Sequence, residues 1–565
     1  MDTSSRATSL LARRLRGLAS SDWTLCGALM AAATLFRVLI LARNFPNVDS
    51  DQAVIGVMAD HIRAGQRPLM YYGQPYQGGL EAYAAALLPA WRGPGDWALR
   101  LPVLACSVLF VGAIYALGAT LYDRRTAALA GLIVALGPAP LIYYGDVTGF
   151  GYIEVALLGT VLLILQARHP DLSAMPPRIA LAVGFLAGLG AWIEPLMIEY
   201  LPALAVAYTL PLLGRRPTAT TDRPARARTL AAIATMAASF IAGAAPLLLY
   251  NLRHRWATLS YLFPQGRAHD DHLAVAVRLV TESLPILLGL AAPNPNHAIF
   301  ARLATHYPVQ HAAGVALVLY IVARLLPRPR GGPRHRATGA PISRDGTLAL
   351  FGGACALIVV CTHFDTGDSA IDTARYLLPL YTLTPLVVHR ALPRRLPPAA
   401  LVVGCWLAAI LPLTLATPQT VTPPGPVEGL IRLLEARGVR VVYGNYWTAY
   451  QVEFESHERI VGIPVNDLQL ARVRALGDLD VAARTPTNGL AWIFAAGGRG
   501  ERRFHLRLKQ LHIDARRVRW AGLAIYDHAS RPLRAIGPYE HEGMPWFEAA
   551  PPMSCSAAHR CRSLR

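Results

Sequence analysis

Two carboxylates stand where an amphipathic segment begins, directly after the first long apolar stretch of the chain. Asp49 and Asp51 precede apolar residues that recur with a helical period over residues 53–58. A short amphipathic helix beginning beside a hydrophobic span is expected to lie along the membrane surface. Both acids would then stand at the head of that helix, where the amide dipoles favour negative charge. The structural alternative is that one of them is simply the N-cap of an interfacial helix.

A loop rich in aromatic rings and amides follows this helix. It contains Tyr71, Tyr72, Gln74, Tyr76 and Gln77. Aromatic faces pack against sugar rings, and side-chain amides bond hydroxyl groups. The whole stretch from residue 47 to residue 83 therefore predicts a carbohydrate site close to two acids.

Other ionisable side chains fall at the mouths of predicted spans, on the same outer face. Carboxylates beside apolar helix ends are costly to place and are candidate functional groups by default. A solvated loop acid is the alternative for each of them taken alone. A guanidinium at the outer end of a span can hold a phosphate with two hydrogen bonds, or it can extend to the interface as a structural side chain. The candidates are Asp49, Asp51, Glu81, Asp146, Glu154, Glu194, His363, Asp365, Asp368, Asp372 and Arg375.

The elements that must position these side chains are membrane helices. The chain of 565 residues is 53% hydrophobic and only 16% charged, whereas a soluble domain carries about a quarter charged residues. This composition predicts a polytopic α-helical membrane protein. The net charge of +19 follows from basic cytoplasmic loops, so it calls for no nucleic-acid partner. The motif HDDH at 269–272 has metal-ligand side chains but is too short to define a metal site, and a solvated turn is the simpler interpretation.

The charge pattern predicts about eleven spans, with a cytoplasmic N-terminal lead at 1–22. Pro195 is expected to split the apolar run 179–214 into two spans with an outer turn at Glu194. Residues 276–292 are assigned to the interface or a re-entrant segment, because a crossing there would place the basic loop 328–344 outside. The other spans are predicted at 23–42, 98–122, 127–144, 151–167, 231–250, 312–326, 347–361, 376–391 and 399–417.

The transmembrane domain therefore covers residues 23–417, and its first outer loop, 43–97, includes a second helix at 79–91. The composition changes after this domain. A Pro-rich linker at 418–430 leads to a small α/β domain at 431–545 and a tail at 546–565, all predicted outside. An amphipathic helix, a glycine turn and a strand are expected in GLIRLLEARGVRVVYGNYW. Further strands are expected in AWIFAA and LAIYDH, with a helix in HLRLKQLHI between them. This domain has no Gly-rich phosphate loop. If the tail is extracytoplasmic, Cys555 and Cys561 could form a small disulfide loop.

Several stretches together resemble the membrane glycosyltransferases of the C-type fold, which include protein O-mannosyltransferases and the aminoarabinose transferase of lipid A. The nearest likeness is to the bacterial branch that is similar to dolichyl-phosphate-mannose-protein mannosyltransferases. The stretches with the more specific likeness are SDQAVIGVMADHIRAGQRPLMYYGQPYQGGLEAY (50–83) and RYLLPLY (375–381). Less specific stretches lie at 97–104, 149–154, 187–196, 250–259 and 441–454, so the likeness spans almost the whole chain.

The resemblance implies a transferase that takes a sugar from a polyprenyl-phosphate carrier at the periplasmic face of the bacterial inner membrane. It places the catalytic acid at Asp51, as a general base, with inversion, or as a ligand of a divalent metal ion. The family pairs that acid with Glu, but this chain has Gln52, which puts metal use in doubt unless Asp49 compensates. Glu154 falls where related proteins often carry a second acid.

The family tends to have a basic residue near the lipid phosphate at the position of Arg375. The hypothesis built on this resemblance has Arg375, with Arg253 or Arg255, stabilising that phosphate. Tyr72, Gln74 and Tyr76 would line the sugar site. Further substrate-binding candidates are Gln52, Glu81, Glu154 and Glu194. The acceptor is a glycan, a lipid or a protein.

Two other classes compete with this interpretation. A transporter or flippase of lipid-linked sugars predicts charge pairs deep inside the spans and internal repeats, and the sequence shows neither clearly. A non-catalytic scaffold for envelope assembly is favoured mildly by Gln52.

Overall fold

The computed structural model describes residues 23–42, 48–89, 96–213, 223–262, 272–290, 308–326, 344–362, 374–415, 427–464, 481–482, 484–531, 533–535 and 547–549. The chain divides into two compact units. The first, called the helical unit below, comprises Met1–Pro46, Pro75–Ala84 and Trp97–Pro418. The second, called the α/β unit, comprises Asn47–Gln74, Ala85–Asp96 and Gln419–Arg565.

The helical unit is built from apolar α-helices, which satisfy their own backbone hydrogen bonds in a lipid environment. Short 3-10 helices interrupt them at Leu172–Ala174, Pro195–Glu199 and Leu378–Leu383. The α-helices that begin in this unit are Trp23–Ala42, Leu80–Ala86, Trp97–Leu121, Arg124–Ala135, Ala139–Asp146, Tyr152–Arg168, Pro177–Ile193, Leu201–Leu213, Arg223–Gly243, Ala245–Arg253, Ala257–Leu262, His272–Arg278, Leu284–Leu287, Pro308–Leu325, Arg344–Cys361, Thr384–Ala391 and Leu396–Leu415.

Membrane-crossing length is reached by a subset of these helices. Among the described residues, 3 helices are long and apolar enough to cross a membrane, or up to 5 if each of two bent pairs is one span. The three are Trp23–Ala42, Trp97–Leu121 and Pro195–Leu212. Shorter apolar helices lie at Pro177–Ile193, Ala312–Leu325, Asp345–Cys361 and Leu396–Pro412. The total of about eleven spans stays a prediction.

A proline breaks the predicted span 127–144. The structure has two helices there, Arg124–Ala135 and Ala139–Asp146, bent by 73°. Pro138 lies between them, and proline disfavours the helical conformation of the residue before it. The predicted span 231–250 is also broken, by a bend of 62°.

A buried arginine stabilises the first of these breaks. Arg37 donates hydrogen bonds to the carbonyl oxygens of Val134 (2.9 Å) and Ala135 (2.6 Å), at the end of the broken helix. Its Nε also lies 2.9 Å from Ser107 Oγ and 3.2 Å from Asp146 Oδ1. Both charged side chains are fully buried. The sequence pattern missed this charge pair, because its members belong to different helices, and its bonds to the broken helix give it a structural role.

The predicted break at Pro195 is confirmed. The helix Pro177–Ile193 ends directly before Glu194, whose backbone is extended with φ −158° and ψ 136°. The 3-10 helix Pro195–Glu199 follows, and Leu201–Leu213 continues the chain. Proline cannot donate the backbone hydrogen bond that a continuous helix needs at this point.

The predicted interfacial segment 276–292 is helical in its described part. A π-helical turn, Leu279–Ser283, joins His272–Arg278 to Leu284–Leu287. Gly289, with φ +82°, follows in a conformation that glycine adopts without strain. Whether this segment crosses the membrane stays open.

A five-stranded mixed sheet forms the centre of the α/β unit. Its strand order is β2-β1-β3-β5-β4, with β1 parallel to β2 and β3, and with β5 antiparallel to β3 and β4. A second sheet pairs β6 with β7. The strands are β1 (Val441–Gly444), β2 (Val461–Pro464), β3 (Leu490–Ala495), β4 (Arg516–Trp520), β5 (Leu523–Asp527), β6 (Leu533–Ala535) and β7 (Phe547–Ala549).

Three α-helices accompany this sheet: Val427–Ala436, Tyr446–Glu455 and Arg499–Gln510. The first buries Leu430 and Leu434 against Val442, Ile493 and Ile525 of the sheet. The strands expected in AWIFAA and LAIYDH are present, and so is the helix between them. These elements follow from runs of apolar and β-branched residues bounded by turn residues.

Two predicted elements end earlier than expected. The strand expected at the end of GLIRLLEARGVRVVYGNYW stops at Gly444, because Asn445 caps a new helix by accepting a hydrogen bond from the Thr448 amide (2.8 Å). The helix at 79–91 runs only over Leu80–Ala86. Pro89 follows closely, and a helix usually ends before a proline.

The amphipathic helix of the first outer loop, Ser50–Arg63, belongs to the α/β unit. It packs against the helix Tyr446–Glu455 at very short range. A Cβ on Gly56 would stand 2.0 Å from a ring carbon of Phe454. Glycine is therefore required at this crossing, for close approach and not for its backbone angles.

Candidate functional site

In the helical unit, Glu81 is held by three hydrogen-bond donors. Its carboxylate accepts from Thr148 Oγ1 (2.5 Å), from the Gly151 amide (2.8 Å) and from the Gly149 amide. Gln77 Nε2 also donates to the Gly149 carbonyl, at 2.9 Å. Burial raises the pKa of the Glu81 carboxyl, although these donors favour its charged form. Glu81 thus connects the first outer loop to the loop before the helix Tyr152–Arg168.

Glu194 and Arg375 form an electrostatic pair in the same unit. Burial raises the pKa of Glu194 well above its usual range, the Arg375 charge opposes this shift, and Glu81 adds to it. Arg375 donates to the Tyr376 hydroxyl at 3.0 Å, and its guanidinium carbon lies 4.8 Å from the centre of that ring. Glu154, in the first turn of its helix, is buried, and its Oε2 has no hydrogen-bond partner. The negative charges of Glu154 and Glu81 repel each other.

Aromatic side chains surround this group of charges. Tyr76 stacks on Tyr261 with ring centres 4.7 Å apart, and Tyr152 meets Tyr376 edge-on at 6.1 Å. The Arg375 guanidinium interacts electrostatically with the hydroxyl groups of both Tyr76 and Tyr152. The helical unit therefore brings together Tyr76, Glu81, Glu154, Glu194 and Arg375 among the predicted residues.

The α/β unit holds the two acids with which the amphipathic segment begins. Asp49 is the N-cap of the helix Ser50–Arg63 and accepts a hydrogen bond from the Gln52 amide at 2.9 Å. Asp51, in the first turn, is half-buried and accepts a hydrogen bond from the Tyr446 hydroxyl at 2.5 Å. The Gln52 side chain is fully buried. The acids stand at the helix head as predicted; Asp49 caps the helix, and Asp51 does not.

The remaining loop residues of this unit have different surroundings. The Tyr72 hydroxyl donates to Gln66 Oε1 and lies 3.0 Å from His61 Nδ1. Gln74 is half-buried and its backbone amide bonds the Tyr71 carbonyl at 3.0 Å. The three residues predicted to line a sugar site are thus divided, because Tyr72 and Gln74 belong to the α/β unit and Tyr76 to the helical unit.

Arg253 is the last residue of a short helix of the helical unit, Ala245–Arg253, and Arg255 lies in the turn that follows. Both are exposed, and Arg255 has a positive φ of 52°. Several other predicted residues lie outside the described part of the chain, namely His363, Asp365, Asp368, Asp372, Cys555, Cys561 and the first three residues of the HDDH motif.

The described residues do not fit a metal site. They contain no group of three or more His, Cys, Asp or Glu side chains that could hold a metal ion. Near Asp51, the Asp49 carboxylate is occupied by the helix cap, and Gln52 supplies a neutral amide in place of a second acid. No step below is therefore derived through a metal ion.

Tyr446 is the residue that the sequence interpretation missed. It lies 395 positions from Asp51 along the chain. The only local signal was the Asn445–Thr448 capping pair, which marks a helix start and places Tyr446 at its first turn. No pattern in the sequence connects that turn with the first outer loop.

Comparison with known proteins agrees with this architecture. Residues 80–241 match the family described as dolichyl-phosphate-mannose-protein mannosyltransferase. The structure is similar to ArnT from Cupriavidus metallidurans bound to undecaprenyl phosphate, with a TM-score of 0.57 and 12% identity over 89% of this chain and 97% of that one. The apo state of ArnT gives a TM-score of 0.57 and 12% identity over 90% and 98%.

The chain shares the ArnT fold. The resemblance to C-type membrane glycosyltransferases is thereby confirmed. No curated protein sequence matches the chain. Identity at this level shows the fold alone, so the chemistry has to be argued from the side chains.

Proposed function

We propose that this protein transfers a sugar from a polyprenyl-phosphate donor to an acceptor hydroxyl, at the periplasmic face of the bacterial inner membrane, with Asp51 as general base. The observation that carries the proposal is the Asp51 carboxylate, half-buried at a helix head and bonded by the Tyr446 hydroxyl. The family match over residues 80–241 and the fold shared with ArnT, which was solved with undecaprenyl phosphate, support this reaction class. Nucleotide sugars stay in the cytoplasm, so an outward-facing site calls for a lipid-linked donor.

Asp51 removes the proton of the acceptor hydroxyl as its oxygen attacks the anomeric carbon. The bond between that carbon and the phosphate oxygen breaks, and polyprenyl phosphate leaves with the bonding electrons. Attack on the face opposite to the leaving group inverts the configuration. A positioned carboxylate base contributes about 10²–10⁴-fold to the rate of such a step.

The leaving phosphate needs a fixed positive charge. Arg375 is the best candidate, because stacking on Tyr376 and the hydrogen bond to its hydroxyl hold the guanidinium in place. A planar guanidinium binds phosphate oxygens in pairs. Arg253 and Arg255 are exposed, which suits secondary contacts with a lipid head group.

The sugar ring is assigned to the tyrosines of the helical unit. Tyr76 and Tyr152 present aromatic surface near the Glu194–Arg375 pair, and buried carboxyl groups can bond sugar hydroxyls. The role of Tyr72 and Gln74 as ring contacts stays a prediction. The sugar and the acceptor, whether glycan, lipid or protein, are left open.

A transporter of lipid-linked sugars is the alternative that the Arg37–Asp146 pair brings forward. Intramembrane charges often mark transport pathways. The hydrogen bonds from Arg37 to the carbonyls at the Pro138 break favour a structural role over a pathway. Release of polyprenyl phosphate in detergent, where no compartment exists, separates catalysis from transport and from a scaffold role.

The test is Asp51→Asn in purified protein with a labelled polyprenyl-phosphate sugar. We expect release of polyprenyl phosphate to fall about 10²–10⁴-fold, while the thermal midpoint stays near that of the wild type. Asp60→Asn is the matched control, because Asp60 lies on the same helix and is paired with Arg63, whose Nη1 is 2.7 Å from its Oδ1. Wild-type release by Asp51→Asn would refute the general-base role.

A further inference from the structure

The helix of the first outer loop and the helix Tyr446–Glu455 run side by side in the same direction. Three contacts follow one another in the same order along both helices. Ser50 Oγ donates to the Tyr446 carbonyl at 2.8 Å, Gly56 faces the Phe454 ring, and His61 Nε2 lies 3.1 Å from Glu458 Oε2. The two helix starts are therefore side by side, and a shift of either helix by one residue would break all three contacts.

Further bonds fix the same register. Gln451 Nε2 donates to the Val48 carbonyl at 2.7 Å, just before the helix that carries Asp51. Glycine at position 56 leaves room for the Phe454 ring, since any side chain there would overlap that ring. Asp51 is thus presented by an element whose position depends on residues at the far end of the chain.

Tyr446 is the residue that contacts the carboxylate itself. Its side chain is 3% exposed and is packed edge-on against Trp447 and Tyr450, with ring centres 5.2 Å and 5.3 Å apart. The ring therefore has little freedom to move, and the hydroxyl stays 2.5 Å from Asp51 Oδ1. A hydrogen bond from a fixed donor restricts a carboxylate to one rotamer.

From this geometry we infer that the α/β unit positions the catalytic carboxylate, with Tyr446 as the positioning residue for Asp51. The inference rests on the proposed function and deepens it. The α/β unit then has a role in the reaction, because it orients Asp51. This role is independent of any role in binding an acceptor. Tyr446 itself exchanges no proton with the substrates.

A double-mutant cycle tests this inference. We would measure single-turnover release of polyprenyl phosphate for the wild type, Asp51→Asn, Tyr446→Phe and the double variant. We expect Tyr446→Phe to lower the rate constant about tenfold or more, as for a lost hydrogen bond to a charged group, with KM for the donor unchanged. In the Asp51→Asn background the same substitution should have no further effect, since Tyr446 acts only through that carboxylate.

Tyr450→Phe is the matched control, one turn further along the same helix. Tyr450→Phe should change the rate constant by the same factor in the wild-type and the Asp51→Asn backgrounds. Ser50→Ala is the second variant, should Tyr446→Phe fold poorly, because it removes one register contact and leaves both Asp51 and Tyr446 intact. It should lower the rate constant less than Tyr446→Phe does, again only when Asp51 is present.

The outcomes distinguish the two proposals. If Asp51→Asn abolishes release but Tyr446→Phe is as fast as the wild type, or its effect is the same in both backgrounds, Tyr446 does not position the base and the general-base proposal survives. If Asp51→Asn retains wild-type release, both proposals fail together.

Discussion

Two carboxylates of the first outer loop, Glu81 and Asp51, belong to different units of this protein and are held in opposite ways. Glu81, in the helical unit, is buried and accepts from one hydroxyl and two backbone amides. Asp51, in the α/β unit, is half-buried, and its carboxylate accepts a hydrogen bond from the Tyr446 hydroxyl. From the sequence, both acids were candidate functional groups on the predicted outer face.

The difference supports a structural role for Glu81 and the reactive role that we propose for Asp51. The donors Thr148, Gly149 and Gly151 bond Glu81 to the loop before the helix Tyr152–Arg168, so a substrate would have to displace bonds that hold two loops together. Buried groups of this kind are costly to disturb. A half-buried carboxylate that a tyrosine hydroxyl orients can exchange a proton with a substrate and still keep its direction.

The largest effect should come from Glu81→Gln. Glutamine keeps one acceptor oxygen and turns an amide toward donors that then have no acceptor, so we expect a loss of about 1–3 kcal/mol in stability. Thermal unfolding in detergent measures it. Glu435→Gln, which affects a surface ion pair with Arg459, is the control and should change little. An unchanged thermal unfolding midpoint for Glu81→Gln would show that Glu81 has no structural role that sets it apart from Asp51.

Arg375→Lys should have the next largest effect. Lysine keeps the charge but loses the planar pair of donors and the stacking on Tyr376. We expect transfer efficiency to fall about tenfold, or about 1.4 kcal/mol, through weaker donor binding. Arg253→Lys, at an exposed position, is the control. Equal losses in both variants would show that Arg375 contributes no more to donor binding than the exposed Arg253 does.

A pH-dependent effect on stability is expected from Glu194. Its folded pKa lies well above the usual value because the side chain is buried, so the folded protein binds the proton more tightly than the unfolded chain. Stability should therefore fall as pH rises above the unfolded value of about 4.3. Thermal midpoints of the wild type and Glu194→Gln across this range would show it, with a flatter profile in the variant. A profile that Glu194→Gln leaves unaltered would mean that this carboxyl is already solvated.

The smallest change is expected on chelation. With Asp51 as a general base, EDTA should leave the rate of polyprenyl phosphate release unchanged. A loss that Mg²⁺ or Mn²⁺ restores would instead support the predicted role of Asp51 as a metal ligand. Asp49→Asn provides the control, since the cap it forms with the Gln52 amide tolerates asparagine.

Much of the local structure could be predicted from the sequence alone. The start of the helix at Ser50, the break at Pro195 and the strands of the α/β unit all follow from capping residues, proline and the period of apolar side chains. These signals operate within a few residues of one another. The break at Pro138 carried a signal of the same kind, although the continuous apolar run concealed it.

What only the tertiary structure decided is which distant groups meet. Arg37 forms an ion pair with Asp146. Glu81 accepts hydrogen bonds from the amides of Gly149 and Gly151, and Asp51 accepts one from the Tyr446 hydroxyl. A hydrogen bond needs two atoms within about 3 Å of each other, and the separation of two residues along a chain does not set that distance. The sequence could therefore name the carboxylates, but only the fold shows which of them is bonded by backbone amides and which is half-buried beside a tyrosine hydroxyl.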